Sequence, residues 1–233
     1  MIERVVVTGA SGGVGRACVD AFRKLGAEVV GVGEDQSSTA DDNLVLDLAD
    51  PDCGARVAAH LGERRVDVLV NNAAIGHATA ATDTAVEEFD RIMAVNLRAP
   101  FLVSAALYPA LRASSGSIVN VSSVHAVATS APVSVYAASK GGLASLTRAL
   151  AVEWGPEVRV NCVLPGAVDT PMLTEGLARA GRDLESFGAA LPIGRVGRPG
   201  EIADAVVFAA TNHYLTGASL IVDGGATARL SSE

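Results

Sequence analysis

Short apolar runs recur along the chain, and most of them end in a polar or glycine-rich turn. The runs occupy residues 5–7, 29–32, 44–46, 66–70, 118–121, 158–163 and 220–222. Runs that are apolar at nearly every position are typical of strands buried on both faces of a sheet. We therefore predict seven β-strands.

Helical patterns alternate with these strands, as in the stretch that follows TGASGGVG through Leu25 and in residues 51–62. Strands that alternate with helices indicate right-handed βαβ units. The predicted fold class is α/β: a doubly wound, mostly parallel seven-stranded Rossmann sheet with helices on both faces, in a single domain over residues 1–233. Residues 34–43 are polar without helical periodicity, which predicts a loop crossover. Residues 170–198 are weakly helical with Gly and Pro breaks, which predicts a substrate lid.

Composition excludes several classes of function. The net charge of −8 disfavours binding to nucleic acid and to anionic membranes. No apolar run approaches the roughly 18 residues that a membrane span requires. The three cysteines form no CxxC pair, and the histidines lack metal-ligand spacing. We expect a cytoplasmic protein with reduced thiols, no metal and no membrane or nucleic-acid partner.

A glycine-rich turn, TGASGGVG, follows the first predicted strand and opens the first helix. Glycines at 9, 13 and 15 let the backbone approach a pyrophosphate, and a helix N-terminus offers free N–H groups to it. A plain tight turn is the alternative. The strand–turn–helix context favours a dinucleotide site.

Tyr136 and Lys140 lie four residues apart in YAASK, so they share one face of a helix. A phenol with a pKa of about 10 is a poor base at neutral pH. A nearby ammonium favours the phenolate, so this pair can exchange a proton with an alcohol or carbonyl oxygen. Two serines, Ser122 and Ser123, end the strand IVNVSS, and side-chain alternation directs them to opposite faces. Spacing favours Ser123 as the substrate contact without excluding Ser122.

Six motifs, namely TGASGGVG, NNAA, VNL, VNVSS, YAASK and LPGAVDTPM, appear together in this order. The chain resembles the short-chain dehydrogenase/reductase family over essentially its whole length. The resemblance implies an oxidoreductase that transfers a hydride between a nicotinamide dinucleotide and a ketone or secondary alcohol. It also implies a homotetramer that pairs the helices containing PFLVSAALYPALRA and YAASKGGLASLTRALAVEW.

The resemblance implies roles for individual residues. Ser123 would orient the substrate oxygen, and Tyr136 would be the acid or base. Lys140 would lower the pKa of Tyr136 and hold the nicotinamide ribose, while Asn96 would hold a water in a proton relay. The implied cofactor contacts are Gly9, Ser11, Gly13, Val14 and Gly15 for the phosphates, Asp47 and Leu48 for adenine, Asn72 and Ala73 for the adenosine ribose, Tyr136 and Lys140 for the nicotinamide ribose, and Val168 and Thr170 for the carboxamide.

The cofactor preference is expected to be NAD(H) over NADP(H). Members that bind NADP usually carry a basic residue at the position of Gly12 or just after the second strand, and here neither place is basic. Glu34 would accept hydrogen bonds from ribose hydroxyls and repel a 2′-phosphate. Against this preference, Gly33 replaces a common Asp, and Arg16 is a possible phosphate ligand.

Two other functions stay open at this point. One is a non-catalytic regulatory protein that binds a dinucleotide, although such proteins usually lack the Tyr or the Lys. The other is an epimerase or dehydratase on the same fold, which needs a further acid–base group. His125 is the unassigned candidate for such a group, and a residue that merely shapes the pocket rim is the alternative.

Overall fold

The computed structural model describes residues 2–76 and 78–229. It contains seven strands: β1 (Arg4–Thr8), β2 (Glu28–Gly33), β3 (Asp42–Val45), β4 (Val68–Asn71), β5 (Ser117–Val121), β6 (Arg159–Pro165) and β7 (Ser219–Val222). Eight α-helices accompany them in the described part: α1 (Gly13–Lys24), α2 (Cys53–Leu61), α3 (Val86–Met93), α4 (Ala99–Ser114), α5 (Ser134–Trp154), α6 (Pro171–Arg179), α7 (Leu184–Ala189) and α8 (Pro199–Thr211).

The strands form one sheet in the order β3-β2-β1-β4-β5-β6-β7, and every neighbouring pair is parallel. The predicted doubly wound sheet is therefore confirmed. The direction of winding reverses between β1 and β4, and ligands of such sheets bind beyond the carboxyl ends of the strands at this reversal. The glycine-rich turn, the loop after β4 and the end of β5 all lie at that edge.

Two apolar layers hold helices to the sheet. Core residues of α1 and α8, including Phe22 and Val206, pack on one face. Residues of α2, α4 and α5, including Val57, Leu111 and Leu150, pack on the other. Because both faces are covered, the strands between them can be apolar at every position.

The sequence located the third strand imprecisely. In the structure, this strand starts at Asp42, two residues before the predicted apolar run 44–46, and it ends before Leu46. The polar side chain of Asp42 is accommodated at the start of the strand because its carboxylate contacts His60 and Arg64, each at 2.9 Å. The crossover before β3 contains no helix, as expected from the polar stretch 34–43.

A π-helical turn, Ala94–Arg98, joins α3 to α4 in one continuous helical segment. The segment from Val86 to Ser114 is long and apolar enough to meet the criterion for a membrane span by length and composition alone. Half of its most apolar stretch is buried inside the protein, and core helices of globular proteins meet the same criterion.

Candidate active site

The glycine-rich turn is built so that side chains would obstruct it. Gly9 has a φ of +64°, and a Cβ atom there would lie 2.8 Å from the Cα of Ala73. A Cβ on Gly15 would overlap the carbonyl oxygen of Gly9, and one on Gly13 would lie 2.8 Å from the Cγ2 of Thr170. The turn is therefore a close-packed cradle with no room for a side chain at these three glycines.

The first turn of α1 is open to an anion. Gly12 is the N-cap and supplies no side-chain hydrogen bond, and the turn contains no acidic residue. A helix N-terminus in this state offers free N–H groups and a favourable dipole to a phosphate. Ser11 lies in the turn and Val14 in the first helical turn, so the residues fit a dinucleotide pyrophosphate.

The loop after β4 locks this turn in place. The Asn72 side-chain amide donates to the carbonyl oxygens of Thr8 and Gly9 at 3.0 and 3.1 Å. The Thr8 hydroxyl accepts hydrogen bonds from the backbone N–H groups of Asn72 and Ala73 at 3.0 and 3.1 Å. Asn72 therefore holds the turn, which is a structural task besides the ribose contact that the sequence suggested.

Glu34 and Asp47 follow β2 and β3 at the same edge of the sheet, and Leu48 is buried beside them in the core. The guanidinium of Arg91 on α3 binds Glu34 at 2.9 Å and Asp47 at 3.2 Å. A hydrogen bond from the backbone N–H of Ala49, followed by Arg91, holds the pKa of Asp47 below its usual range. Sequence reasoning missed Arg91, because 57 residues separate it from Glu34 and no local pattern links them.

Ser123 and Tyr136 come together beyond the end of β5. Their hydroxyl groups are close enough to influence the pKa of the phenol, and the Ser123 hydroxyl accepts the backbone N–H of His125 at 3.2 Å. Ser122 turns the opposite way and donates to the carbonyl oxygen of Lys140 at 2.8 Å. The alternation expected from the sequence thus leaves Ser123 beside the phenol and Ser122 in the protein interior.

Burial dominates the electrostatics of the phenol. It raises the pKa of Tyr136, and the hydrogen bond with Ser123 opposes this rise. The Lys140 Nζ lies 5.7 Å from the centre of the Tyr136 ring and donates to the carbonyl oxygen of Val121 at 3.0 Å. Burial also lowers the pKa of Lys140 to about 8. The phenol is therefore protonated at neutral pH and is poised to donate.

Asn96 lies in the π-helical turn and is fully buried. Its side-chain oxygen accepts the N–H of Ile75 at 2.9 Å, and its amide donates to the carbonyl oxygen of Ile75 and to the Ser139 hydroxyl, both at 3.1 Å. Ser139 in turn donates to the carbonyl oxygen of Tyr136 at 2.7 Å. The Asn96 side chain thus ties the loop after β4 to α5. The polar atoms of the Asn96 side chain are thus engaged by other groups of the protein.

The segment that follows β6 begins against the cofactor cradle. Val168 is buried and pairs with Gly197, and Thr170 is the N-cap of α6. The arginines of this segment are engaged locally: Arg179 with Glu175, Arg182 with the Phe187 ring, and Arg195 with Glu201. These local contacts indicate that the three arginines belong to a solvated surface and do not converge to bind an anionic substrate.

His125 stands beside the phenol, with ring centres 5.8 Å apart in an edge-on arrangement. Its Nδ1 is 2.9 Å from the Thr129 hydroxyl, and burial lowers the pKa of its imidazole. The imidazole is therefore neutral at neutral pH and lies beside the phenol. Within the described residues, no group of three or more His, Cys, Asp or Glu side chains is arranged to hold a metal.

Comparison with known proteins identifies the family. The family model described as enoyl-(acyl carrier protein) reductase matches residues 9–227. An uncharacterised short-chain type dehydrogenase/reductase of Sinorhizobium fredii is 42% identical over 239 aligned positions, which include 95% of this chain. The chain belongs to the short-chain dehydrogenase/reductase family. It spans 43% of the length of that relative.

Solved structures of this family share the whole fold. The aldohexose dehydrogenase of Thermoplasma acidophilum is 32% identical, with a TM-score of 0.94 over 99% of this chain and 96% of its own. A 3-ketoacyl-(acyl-carrier-protein) reductase of Brucella melitensis, solved with NADH, is 33% identical, with a TM-score of 0.87 over 97% and 98%. A Beutenbergia cavernae protein solved with NADP is 34% identical, with a TM-score of 0.90 over 97% of each chain. The chain is accordingly a nicotinamide-dependent oxidoreductase.

Proposed function

We propose that the chain interconverts a small-molecule ketone and secondary alcohol, with Tyr136 as the proton-transfer residue. The observation that carries this proposal is the cluster of Ser123, Tyr136 and Lys140 at the carboxyl edge of the sheet, beside the glycine cradle. The bound nicotinamide supplies or accepts the hydride. A spectrophotometric screen of ketones and alcohols with both nicotinamide dinucleotides tests the proposal. Absence of turnover across ketone classes would contradict it.

The protein supplies the proton and the orientation of the substrate. Ser123 donates a hydrogen bond to the substrate oxygen and holds it next to the phenol. Tyr136 donates its proton to that oxygen as the charge on it develops during reduction. The Lys140 ammonium stabilises the resulting phenolate, and the carbonyl of Asn96 is the proposed anchor of the water that resupplies the proton.

The raised pKa of Tyr136 sets the expected direction of the pH dependence. Reduction requires the protonated phenol, which is present below the pKa and is lost as the pH rises through it. Oxidation of the alcohol requires the phenolate and should increase with pH. On this proposal, reduction at neutral pH requires no shift of the Tyr136 pKa toward neutrality.

The two serines should respond differently to truncation. Ser123→Ala removes the hydroxyl that faces the phenol and should lower kcat/KM by about 10- to 100-fold. Ser122→Ala removes the hydrogen bond to the Lys140 carbonyl and should cost about 1 kcal/mol of unfolding free energy, with a smaller kinetic effect. Steady-state kinetics and urea unfolding of both variants check this. The reverse kinetic ranking would assign the substrate contact to Ser122.

Lys140→Met should raise the pH at which oxidation begins and weaken dinucleotide binding. The substitution keeps an apolar stem in the buried site and removes the cation that favours the phenolate. The pH profile of alcohol oxidation and calorimetric titration with NADH measure the two effects separately. Lys24→Met, at an exposed lysine in the last turn of α1, is the control. Weaker binding with an unmoved pH profile would remove Lys140 from the control of the phenol.

The alternative functions have less support. A dinucleotide-binding regulator has no need for Ser123 and Lys140 beside the Tyr136 phenol. An epimerase or dehydratase needs a second acid–base group. Burial lowers the pKa of His125, which disfavours the imidazolium as an acid at neutral pH, and the Nδ1 of this residue is engaged by Thr129.

NAD(H) is the proposed preferred cofactor. Glu34 stands where a carboxylate accepts hydrogen bonds from the ribose hydroxyls, and the loop from Gly33 to Gln36 contains no basic residue. Arg16 donates to the carbonyl oxygen of Ser11 at 3.1 Å at the other end of the turn. Comparison of kcat/KM for both cofactors with one common substrate tests the preference.

The assembly that we propose is a homotetramer. A cavity of about 730 Å³ opens between the π-helical turn, α4 and α5, and Phe101 at its rim is 46% exposed. Its lining is apolar with Asp90 and Arg98 at its margin, so a second copy related by a two-fold axis can place opposite charges together. The edge strand β7 with exposed Ile221, next to exposed Phe208 of α8, offers a separate second face.

Sedimentation at micromolar concentration should find a tetramer, because two different isologous faces on one chain generate four copies. Phe101→Glu places a charge in the apolar groove and should yield a dimer that retains the β7 face. Lys24→Met again serves as the unaffected control. A monomeric wild-type protein would contradict the assembly.

The location that we propose is the cytoplasm, with no membrane or nucleic-acid partner. Cys18, Cys53 and Cys162 are free and buried, which suits a reducing compartment. The net charge of −8 disfavours anionic surfaces. We also propose that α6 and α7, within residues 170–198, form the substrate lid of a single catalytic domain, because Thr170 begins this segment in contact with the cradle at Gly13.

A further inference from the structure

One guanidinium joins two strand ends at the edge of the cofactor cradle. Nη2 of Arg91 binds Oε1 of Glu34 at 2.9 Å, and its Nη1 binds Oδ2 of Asp47 at 3.2 Å. The three side chains, which we call the Arg91 triad, are about half exposed. Each nitrogen of the fork therefore serves a different carboxylate, and both contacts remain accessible to a ligand in solution.

The triad lies where a dinucleotide presents its adenosine ribose. Glu34 directly follows β2, whose last residue, Gly33, would bring a Cβ to 3.7 Å from Gly9 in the phosphate turn. In Rossmann sheets a carboxylate about 20 residues beyond the glycine turn binds the ribose 2′-hydroxyl. Glu34 satisfies this placement, so the 2′ position of a bound cofactor falls next to the guanidinium of Arg91.

Charge decides what the triad can accept. Two carboxylates and one guanidinium leave a net charge of −1, which suits neutral ribose hydroxyls. A 2′-phosphate adds roughly −1.5 to −2 and is repelled by both carboxylates. Yet a guanidinium is the side chain best suited to bind phosphate with two parallel hydrogen bonds. Glu34 and Asp47 therefore compete with a 2′-phosphate for the guanidinium of Arg91.

We propose that Arg91 is a cofactor-selecting residue that distinguishes a 2′-hydroxyl from a 2′-phosphate of the dinucleotide through its pairing with Glu34. When Arg91 is paired with Glu34, it positions the Glu34 carboxylate for the ribose hydroxyls and favours NAD(H). Released from the charge of Glu34, the same guanidinium binds the 2′-phosphate of NADP(H). The inference rests on the proposed nicotinamide-dependent function and adds a selecting residue on α3, outside the loop that follows β2.

The variants Glu34→Gln, Arg91→Gln and the double variant test this coupling. Calorimetric titration of each protein with NAD and NADP, without substrate, measures affinity directly. Glu34→Gln should raise the affinity for NADP relative to NAD by about tenfold or more, as expected for one charge-assisted contact. Adding Arg91→Gln should abolish that gain. The ratio of kcat/KM for the two cofactors should follow, with the KM of the carbonyl substrate unchanged.

Arg112→Gln is the matched control. Arg112 forms a comparable exposed ion pair with Glu157 at 3.8 Å, in the last turn of α4 at the opposite edge of the sheet. Exposed ion pairs add little to stability, so all these variants should fold, and thermal unfolding checks this. The control should leave both affinities unchanged.

Two results would overturn the proposal. If the double variant keeps the gain in NADP affinity, a different cation binds the phosphate, and Arg16→Gln on the Glu34→Gln background identifies it. If Glu34→Gln leaves the ratio of NADP to NAD affinity unchanged, the Arg91 triad does not distinguish a 2′-hydroxyl from a 2′-phosphate. Failure of the proposed oxidoreductase function is a separate outcome, because it would appear as absent turnover while the titrations still report on Arg91.

Discussion

Tyr136→Phe should abolish turnover while dinucleotide binding stays nearly intact. The substitution removes the hydroxyl that faces Ser123 and keeps the ring that packs beside His125. Loss of a positioned general acid typically lowers kcat by about 10²- to 10⁴-fold. Steady-state reduction of a ketone gives the kinetic effect, and calorimetric titration with the reduced cofactor gives the affinity.

Tyr108→Phe is the control for this prediction. Tyr108 packs against Trp154, with ring centres 4.7 Å apart, at the C-terminal end of α5, whereas Tyr136 lies in the first turn of that helix. Its hydroxyl has no part in the proposed chemistry, so kcat should be unchanged. If Tyr136→Phe retained activity within about tenfold of the wild type, proton transfer would have to occur at another group.

Gly15→Ala should weaken dinucleotide binding by about 100-fold or more, because several phosphate contacts depend on one backbone arrangement. A methyl group at this position would overlap the carbonyl oxygen of Gly9 and lie 2.7 Å from the Asn72 amide that locks the turn. Both neighbours are held by other contacts, so the turn must shift. Calorimetric titration with NADH measures the loss.

Gly12→Ala separates this steric effect from a general loss of turn flexibility. Gly12 has a φ of −75°, and a methyl group there would meet only the Gly9 carbonyl oxygen, at 3.4 Å. Binding should therefore remain close to that of the wild type. Circular dichroism and thermal unfolding establish that each variant is folded. Normal affinity in Gly15→Ala would show that the phosphate contacts tolerate a displaced turn.

Local pattern was sufficient to predict the sheet and the proximity of Tyr136 and Lys140. Strands buried on both faces are apolar at nearly every position, and this signal identified the five inner strands. The edge strands β3 and β7 are partly exposed and were predicted from short apolar runs. Tyr136 and Lys140 are one helical turn apart, so their proximity follows from helix geometry alone. The opposite directions of the Ser122 and Ser123 side chains followed from strand alternation in the same way.

Features that depend on contacts between distant segments were not predictable. Arg91 pairs with residues that lie 57 and 44 positions away in the sequence. Within its own helix, Arg91 has the pattern of an ordinary charged residue that faces solvent, so the local pattern contained no sign of these pairs. Burial of Lys140, which lowers its pKa to about 8, depends on how α5 packs against β5 and β6. The start of β3 at Asp42 depends on partners from α2 and the loop after it, so its polar residues had no strand signal of their own.

The π-helical turn at Ala94–Arg98 accommodates one extra residue between α3 and α4 without a break in the helical segment. Its wider winding absorbs the rotation of about 100° that an added residue would impose on a regular α-helix. The helices on both sides therefore keep their relative phase, with Arg91 beside Glu34 and Phe101 in the groove. Deleting one residue of this turn would restore a regular helix and leave those two surfaces in place, so that its effect would fall on the buried contacts of Asn96 with Ile75 and Ser139. The extra residue thus alters the interior of the helix and spares its outer faces.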